Sequence, residues 1–311
     1  MTRTLECCGY LLYAAAAFVC MLWLQFPAAA VKTKAESELN RLAPGLRWQI
    51  GSVGLALPAD LRFSRITVSA EEKSGPPLRI DSFSLRPDFA AWRKDGSWTA
   101  LWRLRLLGGS GSGRLGLNKV RSGLDYSGEL HSIRLDHLGL KLLLEDFGRT
   151  LSGSLSTSFS GRQDVRRGLF AELKGEVRIE QGAVSLQEPV LGMEQLAFDQ
   201  LRVKLKSQGG TLLLEDGKLE SKLLAADFSG DLRLTQPAAS SLVRLKGGLS
   251  PRPEFLASLG GGPMAASLLK SRLQDGRLPF TITGPLNAPG IVFSGLPVDF
   301  SSQLERGDAA P

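Results

Sequence analysis

From Met21 onward the chain contains no cysteine. This excludes a disulfide framework or a cysteine-ligated zinc site in the body of the protein. Cys7, Cys8 and Cys20 lie in or beside an N-terminal apolar segment. Cys7 and Cys8 precede that run, the wrong order for a lipoprotein signal. His131 and His137 are the only histidines; six apart, with no cysteine nearby, they read as surface residues rather than ligands. The formal charge is +7, from 38 Lys and Arg against 31 Asp and Glu. These are spread singly or in pairs, and the lack of a basic block argues against a nucleic-acid partner.

The motifs of catalysis are equally scarce. There is no P-loop lysine motif and no G-x-S-x-G elbow. "GSGRLG" (Gly111 to Gly116) has the spacing of a dinucleotide loop, which needs a helix after it. The following "LNKVRSGLDYSGEL" has no helical stripe, so a turn between strands is expected instead. "LLLED" occurs at Leu142–Asp146 and Leu212–Asp216, each close to a glycine. Carboxylate pairs can do acid/base work, but solvated turns are the simpler expectation. No catalytic, cofactor-binding or metal residue is assigned, and none of these absences is compatible with nucleophilic or metal chemistry of a familiar kind.

What is present begins with an uncharged stretch from Cys7 to Val31. Its apolar centre, Tyr10 to Phe26, approaches the length needed to span a bilayer. Leu11, Leu12, Phe18, Val19, Leu22, Trp23, Leu24 and Phe26 are its candidate anchor residues, with Trp23 toward the interfacial end. A retained signal anchor is preferred over cleavage at Ala28-Ala29-Ala30, because the run ends in bulky residues. A buried core helix is least favoured, since no matching apolar helix follows. The flanking charges, with Lys32, Lys34 and Arg41 downstream, would by the positive-inside count put the body in the cytoplasm. The export-like signal and the short N-terminal tail argue the other way.

Val31, Ala35, Leu39 and Leu42 then fall at helical spacing before Pro44-Gly45, which predicts a short amphipathic helix. From Trp48 the dominant period is two. Leu201, Val203 and Leu205 alternate with Arg202, Lys204 and Lys206; Ala226, Phe228, Gly230, Leu232 and Leu234 alternate with polar residues. "KLESKLL" puts Leu219, Ser221 and Leu223 on one side. Each such strand has one apolar and one charged face. Gly209-Gly210 and Asp216-Gly217 are read as hairpin turns. Short helices are expected at Asp88 to Gly96 and within Pro253 to Gly276. Such a sheet must curl, pair with a second layer, or leave a groove for an apolar ligand or partner.

The chain closes on "DGRLPFTITGPLNAPGIVF" (Asp275 to Phe293), with Leu278, Phe280 and Ile282 on one side of a strand and turns at Gly284-Pro285 and Pro289. A strand pair here would finish the sheet and blunt its edge. This ending, of the form G-x-L-x-F-x-I-x-G-x-L-x-x-P at Gly276, Leu278, Phe280, Ile282, Gly284, Leu286 and Pro289, resembles the AsmA-like family of bacterial envelope proteins. So do "RIDSFSLRPDFAAWRKDG" and the block from Val190 to Gly247. Within that family the chain is most similar to the type II secretion system protein N group. The resemblance implies a mainly β fold: an N-terminal transmembrane helix, then a curved or layered antiparallel sheet of AsmA-like type with a few short helices. It implies a division into an anchor (1–27), an amphipathic helix and linker (28–45), a periplasmic β-rich domain (46–300) and a disordered tail (301–311). It also implies a single-pass inner-membrane protein without enzymatic activity or cofactor. Its partners would be platform or secretin proteins of the secretion system. The alternative is a lipid-binding or transfer module with an apolar groove lined by residues such as Phe198, Leu201, Val203, Phe228 and Leu232.

Overall fold

The computed structural model describes residues 25–294 apart from 43–44, 57–58, 71–76, 119–122, 138–149, 165–167, 191–192, 209–210, 236–239 and 259–261, together with Tyr10, Tyr13, Ala14, Ala17, Met21 and Trp23. Strands dominate, as the period of two predicts. They are β1 (Leu46–Ala56), β2 (Asp60–Ala70), β3 (Leu78–Pro87), β4 (Trp98–Leu106), β5 (Gly109–Asn118), β6 (Gly123–Arg134) and β7 (Leu151–Asp164). Then come β8 (Gly168–Val190), β9 (Met193–Gln208), β10 (Thr211–Glu220), β11 (Leu224–Arg233), β12 (Leu242–Pro251), β13 (Leu278–Pro285) and β14 (Gly290–Phe293). All fourteen form one antiparallel sheet in chain order, each strand bonded only to its sequence neighbours.

Directly paired residues share a face, so the register shows what the alternation builds. One row crosses the whole sheet. It starts at Leu55, Leu61, Leu85 and Trp102. It continues through Gly113, Gly128, Phe159 and Gly175. It ends with Leu205, Leu214, Gly230, Leu245, Ile282 and Ile291. Every member is apolar or glycine. One residue along, on the opposite face, runs Arg62, Ser84, Arg103, Ser112, Glu129, Ser158, Glu176, Lys204 and Glu215. At a strand spacing of ~4.8 Å the apolar row is roughly 62 Å long.

In β2, β6, β8 and β10 a left-handed residue marks a break in the alternation that does not turn the apolar side over. Arg65, Ser132, Gln181 and Asp216 take left-handed φ values of 54°, 54°, 50° and 51°. Around each, the apolar spacing lengthens from two to three: Phe63 to Ile66, Leu130 to Ile133, Ile179 to Gly182, Leu214 to Gly217. At Ser132, Gln181 and Asp216 the left-handed residue absorbs the extra step as a bulge, whereas Arg65 stays in register with β1 and β3 and the shift falls between β3 and β4; in each case both halves keep facing the same way. Ile179 and Phe198 accordingly share one buried cluster with Val177 and Leu201. Asp216-Gly217 is therefore a bulge inside β10 and not a hairpin turn. Gln208 pairs with Thr211, so β9 and β10 form a hairpin; Gly209-Gly210, expected as its turn, lie outside the described residues.

"KLESKLL" is likewise not one strand. Ser221, 1 % exposed, closes a turn between β10 and β11. Its Oγ accepts from the Leu223 and Leu224 N–H groups at 3.1 Å each. "GSGRLG" lies wholly within β5 and is no turn. Leu234 falls just past the end of β11 and is 38 % exposed, so it does not belong to the apolar face.

Among the described residues four α-helices decorate the sheet: α1 (Ala28–Leu42), α2 (Phe89–Asp95), α3 (Pro253–Ser258) and α4 (Gly262–Arg272). Helix α1 runs along the free edge of β1. The Ile50 N–H donates to Glu36 Oε1 at 2.6 Å and the Trp48 N–H to Asn40 Oδ1 at 2.8 Å. Upstream of the helix, Trp23 Nε1 donates to the Leu55 carbonyl at 2.7 Å. Three backbone groups of the edge strand are thus satisfied by side chains, which blunts it against stray pairing. Helix α2 starts on Asp88, whose Oδ1 accepts from the Ala91 N–H, and stops at Gly96 in a left-handed conformation. Helices α3 and α4, inserted between β12 and β13, bury Phe255 and Leu269 against Leu224, Leu249, Leu278 and Phe280.

Among the described residues no helix is long and apolar enough to cross a membrane. Of the candidate anchor residues, Leu11, Leu12, Phe18, Val19, Leu22 and Leu24 lie outside the described set, as does the tail expected at 301–311.

Candidate functional site

The apolar face combines continuity with lack of cover. Of the fourteen residues in its central row, only Trp102 and Gly128 are fully buried. No charged side chain interrupts the flanking apolar rows: Val53, Phe63, Phe83, Leu104, Gly111, Leu130, Thr157, Val177 and Val203 form the next one along. Helices α3 and α4 cover only one end.

Two regions of this face differ. Over β4–β7 the row is paved with glycine, and aromatic rings lie in the space. A Cβ placed on Gly128 would sit 2.1 Å from Trp102 Cζ2, and one on Gly111 3.2 Å from Trp102 Cζ3. Trp102 and Phe159 stack with centroids 6.2 Å apart although two strands separate theirs, and Tyr126 tilts against Phe159 at 6.3 Å. The Trp102 Nε1–H donates to the Ser127 carbonyl at 3.2 Å, so the indole is polar-satisfied as well as packed. Burial pushes the Tyr126 hydroxyl pKa up.

Over β9–β14 the face is left open. A cleft of about 230 Å³ is lined by thirteen residues, all apolar, and exposes no polar surface. Leu201 and Leu196 of β9, Phe228 of β11, Leu245 of β12 and Ile291 of β14 all reach it. On a flat sheet β9 and β14 would stand roughly 24 Å apart. Their convergence on one cleft means that this part of the sheet curls, as open sheets of many strands do. Apolar cavities of ~150 Å³ already admit a benzene-sized guest.

Two larger hollows, about 840 and 660 Å³, open over β4–β8. Both are lined by polar-face residues including Arg114, Ser127, Ser160 and Lys174. They arise where short serines stand beside long cations, and volume alone does not make them a site. The polar face is otherwise a lattice of exposed ion pairs: Arg202 with Glu176 at 2.7 Å, Lys204 with Asp216 at 2.7 Å and Arg244 with Asp231 at 3.1 Å. Hydrogen bonds from Arg202 and Lys204 hold Glu176 and Asp216 below the usual carboxylate range. Such solvent-exposed pairs add little to stability. The second "LLLED" thus supplies a solvated pair, as expected, though from a bulge; the first lies outside the described residues. His131 is exposed beside Glu129.

Of the residues picked from sequence, Leu201, Val203, Leu205, Phe228 and Leu232 share the apolar face with Phe198. Leu278, Phe280 and Ile282 join them from β13, with Gly284 at its end, left-handed at φ 123°. Pro285 ends β13, and Pro289 lies in the turn to β14. Missed were Trp102, Phe159 and the glycines beneath them. The signal was there: glycines at 109, 111 and 113 of β5 facing a strand with tryptophans at 98 and 102. No family model, no curated protein and no solved structure matches this chain.

Proposed function

We propose that this chain is a non-enzymatic protein of the bacterial envelope that holds the acyl chains of a phospholipid on its apolar face. Residues 1–27 anchor it in the inner membrane, and the sheet lies in the periplasm. The observation that carries this is the charge-free row across all fourteen strands, twelve of whose residues are only half-buried, opening into a wholly apolar cleft at β9–β14. An exposed apolar surface of this extent is costly in water unless something apolar occupies it. The resemblance to AsmA-like proteins points the same way.

Photo-crosslinking in cells tests it. A benzophenone side chain replacing Leu245 is expected to yield phospholipid adducts on irradiation, and one replacing Arg244, on the other face, is not. Equal yields at both positions, or none at Leu245, would sink the proposal. A topology reporter after Pro311 that is active in the cytoplasm would overturn the envelope assignment.

A second reading, an accessory part of the type II secretion apparatus, is favoured by the far edge of the sheet. Strand β14 has four residues and pairs only with Phe280 to Thr283. Val292 is 60 % exposed there. Such an edge accepts an added strand from a partner. Crosslinking from Val292 to platform or secretin proteins is the expected outcome; a clean absence of such products counts against it.

A further inference from the structure

Helix α4 presents two apolar sides where one would suffice. Leu269 is 0 % exposed and belongs with Phe255, Leu278 and Phe280 to the cluster at the end of the open cleft, where Leu273 also packs. Met264 and Leu268, on the same helix, are 76 % and 47 % exposed. With 3.6 residues per turn, Met264, Leu268 and Ser271 form a strip directly opposite Leu269 and Leu273. Nothing in the fold requires that strip to be apolar. Arg272 borders it on one side, and Lys270, also exposed, lies further round on the other. Residues 262–272 contain no carboxylate; the nearest in sequence are Glu254 and Asp275.

An apolar strip edged by long cations has the chemistry of a helix lying in a membrane interface: the apolar side chains enter the acyl boundary while the cations reach anionic headgroups. We propose that α4 docks this end of the sheet onto an anionic bilayer surface, bringing the mouth of the β9–β14 cleft to the lipid. The occupant is a bilayer rather than a protein because charge and position agree. The helix carries two cations and no carboxylate, and its other side packs Leu269 against Leu224, Leu249 and Phe280, which line the apolar cleft. The proposal rests on the lipid-holding function above, to which it adds where lipid would enter.

The test uses the full-length chain reconstituted in phosphatidylcholine nanodiscs, or free in buffer if it does not enter them. Capture by separate vesicles of phosphatidylcholine with or without phosphatidylglycerol is read by flotation. Phosphatidylglycerol vesicles are expected to capture the protein. The pair Met264→Ser and Leu268→Ser should lower capture about tenfold, since two apolar side chains no longer enter the bilayer. The pair Lys270→Glu and Arg272→Glu should abolish the preference for phosphatidylglycerol. All four positions are exposed, so unchanged melting curves are expected to accompany both effects. Uptake of a fluorescent fatty acid by the same variants, without vesicles, separates the two claims. Lost capture with intact uptake supports docking by α4. Capture by α4 without any uptake would leave docking standing and remove the lipid-holding function. No capture of the wild type, equal capture of the serine variant, or self-association of nanodiscs through α4 would overturn the docking proposal.

Discussion

Strands β4–β7 and β9–β14 spend the same apolar row in opposite ways. In the first region glycines lower the floor and Trp102, Tyr126 and Phe159 fill the space above it. In the second, aliphatic side chains with Phe228, Phe280 and Phe293 line the walls and leave the middle empty. The alternation is common to both; the difference lies in whether the side chains in the row are large enough to meet one another across it. A one-sided sheet can therefore be made self-sufficient or receptive by a handful of substitutions, without altering a strand boundary.

The comparison is broken most severely at Trp102. Trp102→Ala removes the ring that closes the filled region and should cost about 3–5 kcal/mol in denaturant unfolding. If the variant remains folded, native mass spectrometry should find more bound acyl chains than in the wild type, because the filled stretch has become open. Gly128→Ala approaches the same contact from the opposite side. Its new Cβ would meet Trp102 at 2.1 Å, and the displacement should cost about 1–3 kcal/mol. Ala226→Trp performs the converse experiment, making the open region resemble the filled one. Fatty-acid uptake should fall about tenfold while stability changes by less than about 1 kcal/mol, because the added ring enters existing space.

Smaller effects are expected away from the row. Glu36→Ala removes the acceptor of the Ile50 N–H and should cost about 1 kcal/mol, with amide exchange at Ile50 accelerated and that at Leu245 unchanged. The smallest effect belongs to the polar face. The pKa values of Glu176 and Asp216 are lowered in the folded protein. Their contribution is therefore complete above the unfolded carboxylate range, near pH 4, and is lost as pH falls through the folded values. Acid titration should show a shallow loss of stability below pH 4 that Arg202→Gln and Lys204→Gln together abolish. A steep transition insensitive to both would place the acid-labile groups elsewhere.

Much of this architecture is legible in the sequence because alternation states directly which side chains share a face. Leu201, Val203, Leu205, Leu278, Phe280 and Ile282 were identified in that way. Helices were also expected over Val31 to Leu42, at Asp88 to Gly96 and within Pro253 to Gly276, and helices stand at Ala28–Leu42, Phe89–Asp95, Pro253–Ser258 and Gly262–Arg272. What escaped has a common physical origin. At Asp216 the period slips by one, and a slip beside a glycine looks like a turn when only one strand is in view; the partner Phe228 over Gly217 is needed to see a bulge. "GSGRLG" reads as a turn for the same reason, because the cause of its glycines is an indole carried by a neighbouring strand. Leu234 continued the pattern by one step after the strand had ended. Of the residues expected in an apolar groove, Leu201 and Phe228 line the cleft, but its reach from β9 to β14 was not legible, since it depends on curvature summed over six strands.

The strand order has a consequence for how such a chain is made. Each strand meets only the one before it, so no segment must wait for a distant partner, and the loop-closure cost of every step is that of one hairpin. A chain emerging from its N-terminus can add strands to a growing edge as they appear. The first edge is sealed from the start by Glu36, Asn40 and Trp23, so growth has a direction: at every stage the only reactive edge is the newest one. Among the described strands the last edge is the four-residue β14, a short platform left for an added strand. The sheet is thus laid down in one direction, from a sealed edge towards an open one.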